Sequence, residues 1–240
     1  MLAVDRLSLA VAPGELRGII GPNGAGKSTL FNLITGQLRA HAGSITYEGR
    51  RIETLPAAAR ARLGIAIAFQ AVRLFRGMTV LENVMVGAHS WTSSGMLEAS
   101  LRLPRSRREE TAIRAEALGA LARTGLAGLA EQPAESLPLG RQRALQIARA
   151  LCGRPNLLLL DEAASGLRSA ERDDLANLLA ELRAGGLTIL LIEHDVAFVT
   201  RLADRVTVLE SGRVIAEGDP ASIRSDPDVI AAYLGTAASA

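Results

Sequence analysis

The chain has 240 residues, of which 48% are hydrophobic and 22% are charged, and its formal net charge is +2. This length and balance are typical of a globular protein that buries its own core, which excludes disordered and fibrous classes. Its 27 Lys and Arg residues are matched by 25 Asp and Glu residues and form no long basic run. A nucleic-acid-binding face is therefore not expected.

Cysteine content and hydropathy narrow the class of protein further. Cys152 is the one cysteine, so an intrachain disulfide is excluded, and a reducing compartment fits this count. The first residues lack the pattern of a signal peptide. The longest apolar runs, residues 157–160 and 187–192, are strand-sized, whereas a membrane span needs roughly 20 residues. We expect a soluble protein, or one that reaches a membrane only through a partner.

Short apolar runs alternate with helical patterns along most of the chain, which favours an α/β fold with a largely parallel sheet. The clearest strand is Leu157–Asp161, where four leucines end in a carboxylate. A turn at residues 211–212 predicts an antiparallel hairpin. Strands are predicted over 16–20, 43–48, 65–69, 157–161, 188–192, 205–209 and 213–216, and a helix over 27–35.

Strand signals are absent between residues 80 and 152, where residues 107–121 and 143–151 have helical periodicity. We predict a helical subdomain inserted into the α/β core, with residues 91–95 as a flexible link. Two short helices and a frayed end are predicted in the tail. The predicted units are a core of residues 1–86 and 153–220, a helical subdomain of residues 87–152 and a C-terminal helical tail of residues 221–240.

A glycine-rich segment between the first strand and the first helix matches the phosphate-loop pattern G-x-x-x-x-G-K-[ST]. Its glycines allow a tight turn that brings backbone amides to phosphates, and the helix N-terminus adds a positive dipole end. Lys27 is expected between the β- and γ-phosphates, and Ser28 is expected to offer its hydroxyl to Mg²⁺. The nucleotide-binding residues predicted here are Gly21, Pro22, Asn23, Gly24, Ala25, Gly26, Lys27, Ser28 and Thr29.

Lys27 is the sole lysine, since all other Lys or Arg positions hold arginine. An ammonium is more compact and more strongly hydrated than a guanidinium, so its retention here suggests that the site requires it. The alternative is that the composition favours arginine and that Lys27 remains a lysine by chance. The neighbouring phosphate-loop motif decides between these two explanations.

Polar side chains follow two of the later predicted strands. Asp161 and Glu162 end one strand, and His194 follows another. Ligands of open α/β sheets sit at this carboxyl edge. Asp161 is expected to hold Mg²⁺ through water, Glu162 to orient or deprotonate the attacking water, and His194 to sense the γ-phosphate. Carboxylates that merely end a strand, and a structural histidine, are the alternatives.

These motifs together resemble the ATP-binding subunits of ABC transporters, in order and spacing over nearly the whole chain. Residues 78–84, 193–195 and 229–235 are similar to the branch that takes up branched-chain amino acids. The resemblance implies a RecA-like P-loop NTPase core with an inserted helical subdomain and a small antiparallel β portion. The motifs that carry the resemblance are the phosphate loop, Gln70 after Ala68-Phe69, Leu137-Pro138-Leu139-Gly140-Arg141-Gln142-Arg143, Asp161-Glu162, Ser165-Gly166-Leu167 and His194.

The resemblance implies an ATP hydrolase that uses ATP and Mg²⁺ as a head-to-tail dimer with an identical or paralogous ATP-binding subunit. Gln70 would contact Mg²⁺ or the water and link the site to the helical subdomain. The metal site would be Ser28, Gln70 and Asp161, and the catalytic set Glu162, His194 and Gln70. The signature loop, which would cover the partner's ATP, is Leu137, Pro138, Leu139, Gly140 and Arg141.

The remaining implied partners are two transmembrane permease subunits and, indirectly, a periplasmic or extracellular solute-binding protein. They would place the chain at the cytoplasmic face of the cell membrane. Residues 72–86 would border a groove for a short helix of the membrane subunit, although their apolar members equally suit an ordinary core. The implied function is ATP-driven uptake of branched-chain amino acids or related small solutes.

The chain departs from the family pattern at several motif positions, namely Pro138, Leu139, Ala163, Arg141 and Arg168-Ser169. The positive charge of Arg141 at a helix N-terminus is unfavourable against the helix dipole by about 0.3–1 kcal/mol. Either a bound phosphate offsets this cost, or the side chain is exposed and the cost is tolerated. The family's upstream strand and adenine-stacking aromatic residue have no counterpart in this sequence. Either the start of the sequence was assigned too late, or the protein lacks this aromatic platform for adenine. We expect a loss of about 1–3 kcal/mol in ATP affinity, by analogy with bases on aromatic side chains.

Two other functions remain open from the sequence. A nucleotide-binding regulatory subunit would bind ATP but support its partner's site poorly through its altered signature loop. A P-loop metabolite kinase is disfavoured, because it needs neither the helix after the signature loop nor His194.

Overall fold

The computed structural model describes residues 2–92 and 104–237. Its main sheet has six strands in the order β4-β5-β6-β1-β7-β8, and a separate two-stranded hairpin pairs β2 with β3. Neighbours in the main sheet are parallel except β7 and β8, which are antiparallel. The strands are β1 Leu16–Ile20, β2 Thr46–Tyr47, β3 Arg50–Arg51, β4 Ile65–Ala68, β5 Leu157–Asp161, β6 Thr188–Ile192, β7 Arg205–Glu210 and β8 Arg213–Gly218.

Helices connect the strands and build a helical layer. Within residues 2–92 and 104–237, none of them combines the length and apolarity that crossing a bilayer requires. The helices are α1 Lys27–Thr35, α2 Ala57–Arg62, α3 Val80–Met85, α4 Pro104–Arg123, α5 Leu139–Cys152, α6 Ser169–Ala184, α7 Val196–Leu202, α8 Pro220–Ser225 and α9 Pro227–Ala237.

The central strands are buried on both faces, as expected for a parallel sheet covered by helices. In β5, Leu158 and Leu160 pack into the core that includes α3 to α7, whereas Leu159 packs on the opposite face with Phe31 of α1. The alternation follows from the period of two in a strand. The predicted α/β class, with its helical portion and small antiparallel portion, is confirmed.

Several predicted boundaries differ from the structure. The strand predicted over 43–48 is shorter in the structure, where Thr46–Tyr47 forms the paired strand and the Ile45 carbonyl accepts one further hydrogen bond from the Ile52 amide at 2.8 Å. The chain before Ile45 bends through exposed residues. The helix predicted over 143–151 begins earlier, at Leu139, because the extended backbone of Pro138 (φ −65°, ψ 159°) serves as its N-cap. The predicted hairpin is confirmed, with β8 extending to Gly218.

The predicted flexible link is wrong at its first residue. The Trp91 indole donates a 2.8 Å hydrogen bond to the Cys152 carbonyl, and the Arg154 guanidinium lies 4.3 Å from its ring centroid. Residues 93–95 lie outside the described residues. Of the end predicted to fray from Gly235, residues 235–237 belong to α9, and residues 238–240 lie outside the described residues. Because α3 packs against α4 and α5, we group it with the helical segment, and the predicted division into units otherwise stays a prediction.

Candidate functional site

The sheet topology brings the candidate residues to one edge. Strands β4, β5, β6 and β1 are parallel neighbours, so their carboxyl ends lie side by side. Register pairs Ala68 with Leu160, and Ile192 with both Asp161 and Ile19. Gln70, the Asp161-Glu162 pair, His194 and the phosphate loop follow these four ends in that spatial order. This is the edge where open α/β sheets bind ligands.

Close backbone approach explains two glycines of the phosphate loop. A Cβ on Gly21 would lie 2.1 Å from the Leu209 carbonyl oxygen, and one on Gly26 would lie 2.2 Å from that of Ala3. Gly26 also has a left-handed φ of 99° and is the N-cap of α1, where no side chain caps the helix. The first-turn amides of α1 therefore lack a capping side chain, which suits an anion.

The Lys27 side chain is 6% exposed and lies along the loop that precedes it. Its Nζ donates to the carbonyls of Gly21 at 2.6 Å and Pro22 at 3.0 Å. Burial lowers the pKa of Lys27, while the charges of Glu162 and Asp161 act in the opposite direction. A cation is thus held between the loop and the acidic strand end.

Glu162 has an uncommon backbone conformation. Its φ of 46° is left-handed, which costs a non-glycine residue about 1–3 kcal/mol and often marks a functional site. Its N–H donates to the Ile192 carbonyl at 2.9 Å, and its carbonyl accepts from Ser165 at 3.1 Å. The side-chain amide of Gln70 donates to the Glu162 carboxylate, so two predicted site residues meet directly.

The chemistry of the edge fits a phosphate with a divalent cation. Burial, and then the charge of Glu162, raises the pKa of Asp161, while the charge of Lys27 acts in the opposite direction. Asp161 and Ser28 offer the oxygen donors that Mg²⁺ prefers. The uncapped amides at the start of α1, beside Lys27, suit the phosphates.

The signature loop leads into the N-terminus of α5. Pro138, Leu139 and Arg141 are exposed, and α5 has no acidic residue in its first turn. A Cβ on Gly140 would lie 2.6 Å from Glu171 Oε1, so this glycine lets α5 approach the start of α6. The loop thus presents an exposed, cationic helix start.

The sequence did not predict Glu193 as a site residue, although Glu193 directly follows a buried strand. It is 0% exposed, and its Oε1 accepts a 2.8 Å hydrogen bond from the Ala164 amide. Among the described residues its Oε2 has no hydrogen-bond partner, and the half-exposed His194 places Nδ1 3.9 Å from it. Burial raises the pKa of Glu193. Arg143 and Gln146 of α5 were also missed.

Replacing Glu193 with glutamine is expected to stabilise the fold at alkaline pH. Above the usual carboxyl pKa of 4.5, the folded state retains protons that the unfolded state has released, so wild-type stability falls as pH rises. An amide does not titrate. Thermal unfolding at pH 8 should show Glu193→Gln melting higher by about 2–4 °C for each kcal/mol gained.

The difference in melting temperature between Glu193→Gln and wild type should shrink as the pH falls towards 4.5, the usual pKa of a glutamate carboxyl. Glu181→Gln, at an exposed position on α6, is the control and should melt with wild type throughout. Parallel melting curves for Glu193→Gln and wild type across this range would show that Glu193 carries no burial cost.

A groove of about 470 Å³ separates β4 from the helical segment. Leu74, Phe75, Val86 and Arg149 are among its lining residues. Phe75 is 44% exposed, and the Arg149 guanidinium lies 5.4 Å from its ring centroid. Part of the apolar stretch predicted at 72–86 therefore faces a groove instead of the core.

A phosphate loop beside an acidic strand end, at the carboxyl edge of a parallel sheet, is the arrangement of a P-loop nucleotide-binding protein. Residues 4–165 match the family model for ABC transporters, and residues 213–239 match that for branched-chain amino acid ATP-binding cassette transporters. The chain belongs to the ABC transporter family and is one of its ATPases.

Individual relatives agree with this assignment. The chain is 44% identical to the high-affinity branched-chain amino acid transport ATP-binding protein LivG of Salmonella typhimurium, over 99% of this chain and 93% of that protein. A nucleotide-free ATP-binding cassette from an ABC transporter superposes with a TM-score of 0.83 at 34% identity, covering 96% of this chain and 92% of that one.

A dimeric post-hydrolysis cassette bound to ADP and Pi is also similar. It has a TM-score of 0.74 at 25% identity, covering 91% of this chain and 90% of that one. The family predicted from the sequence motifs is confirmed.

Proposed function

We propose that this chain hydrolyses ATP to drive the uptake of branched-chain amino acids or related small solutes. The observation that carries the proposal is the Gln70–Glu162 contact at the sheet edge, with Lys27 and the phosphate loop beside it. The near full-length similarity to a protein named for branched-chain amino acid transport supports the solute class.

The site residues divide the chemistry among them. The loop from Gly21 to Thr29 binds the phosphates, with Lys27 as its cation, and Ser28, Gln70 and Asp161 would hold Mg²⁺. When bound, Mg²⁺ neutralises phosphate charge. Glu162 accepts a proton from water as the water oxygen bonds to the γ-phosphorus and the bond to the β–γ bridging oxygen breaks. His194 and Gln70 orient the phosphate and the water.

The functional form is a head-to-tail dimer with an identical or paralogous subunit. Leu137 of the signature loop is buried in the core, whereas Pro138, Leu139 and Arg141 are exposed. These exposed residues and the start of α5, which no side chain caps, would face ATP on that partner. Arg141 would add a cation there, which offsets its unfavourable position against the dipole. The dimeric form of a similar cassette supports this assembly.

The groove beside Phe75 receives a short helix from one of two transmembrane permease subunits. An apolar recess at an otherwise polar surface is a typical helix-docking feature. Docking there would hold the chain at the cytoplasmic face of the membrane, and a solute-binding protein would act indirectly through the permeases.

Reconstitution tests the whole proposal. The chain, its permease subunits and the solute-binding protein are assembled in vesicles, and ATP turnover is measured with leucine, isoleucine, valine and unrelated solutes. Stimulation by branched-chain or related amino acids is expected, and stimulation only by an unrelated solute would refute the solute class.

A regulatory role is the second candidate, since Pro138 and Arg141 depart from the family pattern of the signature loop. ATP turnover of the chain alone and with a paralogous subunit separates the two functions. A regulatory subunit would bind ATP but leave turnover at the partner's site slow.

Phe75→Glu is expected to weaken attachment to the permeases. A carboxylate in an apolar groove loses hydration that a docked helix does not replace. Copurification of the chain with solubilised permeases should fall about tenfold, which corresponds to roughly 1.4 kcal/mol. Leu118→Glu, at an exposed apolar position on α4, is the matched control. Equal copurification of both variants would remove Phe75 from the docking surface.

A further inference from the structure

Two buried side chains of α5 hold the chain segment that carries Gln70. Arg143 and Gln146 are 7% and 3% exposed and lie one helical turn apart. Arg143 Nη1 donates to the carbonyls of Phe69, at 3.1 Å, and Gln70, while Gln146 Nε2 donates to that of Ala71 at 3.0 Å. These three carbonyls follow the end of β4, so α5 satisfies them where the strand ladder has stopped.

Arg143 also reaches the segment that carries Glu162. Its Nη2 donates to the Ser165 carbonyl at 3.5 Å, and the Ser165 amide donates to the Glu162 carbonyl at 3.1 Å. Glu193, which directly follows β6, holds the same segment by accepting from the Ala164 amide. The left-handed turn at Glu162 is therefore fixed from two elements.

The planar guanidinium suits this double role. Arginine presents several N–H donors in a rigid fork, whereas a lysine ammonium is a single point on a flexible stem. In the described part of the chain, Arg143 is the side chain that hydrogen-bonds to both the Gln70 and Ser165 carbonyls. The contact between the Gln70 amide and the Glu162 carboxylate requires these two segments to keep a fixed separation.

We propose that Arg143 is a positioning residue for ATP hydrolysis. By holding the Gln70 and Ser165 carbonyls, it sets the Gln70 amide and the Glu162 carboxylate relative to the attacking water. Because it projects from α5, it also ties this geometry to the helix that begins at the signature loop. The inference rests on the proposed roles of Glu162 and Gln70, because Arg143 acts through the backbone segments that carry them.

Arg143→Met and Arg143→Lys in the full chain test the inference kinetically. Misplacement by about 1 Å can cost about 10²-fold in rate, so kcat should fall about 10- to 100-fold in both variants. KM for ATP should stay within about threefold of wild type, because the phosphate loop is untouched.

Arg60→Lys is the matched control. Arg60 is 1% exposed and, like Arg143, donates to backbone carbonyls, including that of Leu55 at 2.9 Å, but its contacts lie outside the site. It should lower the melting temperature and leave kcat unchanged. An equal fall of kcat in Arg60→Lys would mean that general destabilisation explains the effect and would overturn the inference.

Hydrogen–deuterium exchange supplies a readout independent of turnover. Peptides covering residues 69–72 and 162–166 should exchange faster in Arg143→Met, and at the wild-type rate in Arg60→Lys. Unchanged exchange in Arg143→Met would overturn the inference even if ATP is hydrolysed. A wild-type chain without turnover, alone or with its partners, counts against the proposed function only, since the exchange result still decides the role of Arg143.

Discussion

Replacing Glu162 with glutamine is expected to abolish ATP turnover while ATP binding is retained. Glutamine keeps the size of the side chain and an oxygen that can accept from Gln70, so the contact between them survives. The amide cannot take a proton from water, and loss of a general base costs about 10²–10⁴-fold in rate. Initial rates of phosphate release, with ATP binding measured in parallel, check both parts.

The same experiment separates chemistry from folding. The left-handed backbone at Glu162 is held by hydrogen bonds to Ile192 and Ser165 that the substitution leaves in place, so the melting temperature should change little. Glu181→Gln on the exposed face of α6 supplies the control for an amide substitution. Turnover within about twofold of wild type would assign the proton to another group, since a general base contributes far more.

The parts of the fold that depend on local pattern were predictable. The bounds of Leu16–Ile20, Lys27–Thr35, Leu157–Asp161 and Thr188–Ile192 agree with the sequence, because each is an apolar or glycine-marked run with a sharp end. The predicted carboxyl-edge location of the site follows from the parallel order of these strands. The short pairing at Thr46–Tyr47 could not be predicted from the sequence, because the length of a paired strand depends on its partner strand and not only on its own residues.

The side chains that hold the site in place were not predictable in the same way. Arg143 lies in a helix rich in arginine, and nothing local distinguishes it from its exposed neighbour Arg141. Its bonds join residues 74 and 73 positions away, at Phe69 and Gln70, so only the packing of α5 against the sheet edge reveals them. Glu193 carried one local signal, a carboxylate directly after a buried strand, which indicates either a ligand site or a buried anchor.

Replacing Lys27 with methionine is expected to weaken ATP binding about 100-fold. A charge-assisted hydrogen bond contributes about 1.5–3 kcal/mol, and a factor of 100 corresponds to roughly 2.7 kcal/mol. Methionine fills the buried stem, so the effect isolates the ammonium that now bonds the Gly21 and Pro22 carbonyls. Equilibrium titration with Mg-ATP measures the loss, and thermal unfolding verifies that the fold persists.

Lys27→Arg tests whether the compact ammonium, and not merely a positive charge, is required. The Nζ is enclosed by two loop carbonyls at 2.6 and 3.0 Å, a space that a planar guanidinium overfills. We therefore expect Lys27→Arg to lose affinity nearly as Lys27→Met does. Because Lys27 is the sole lysine, an amine-reactive reagent should modify only it and the terminal amine, and Mg-ATP should shield it. Wild-type affinity in Lys27→Arg, or labelling of Lys27 that Mg-ATP does not slow, would make the lone lysine a compositional survivor with no part in phosphate binding.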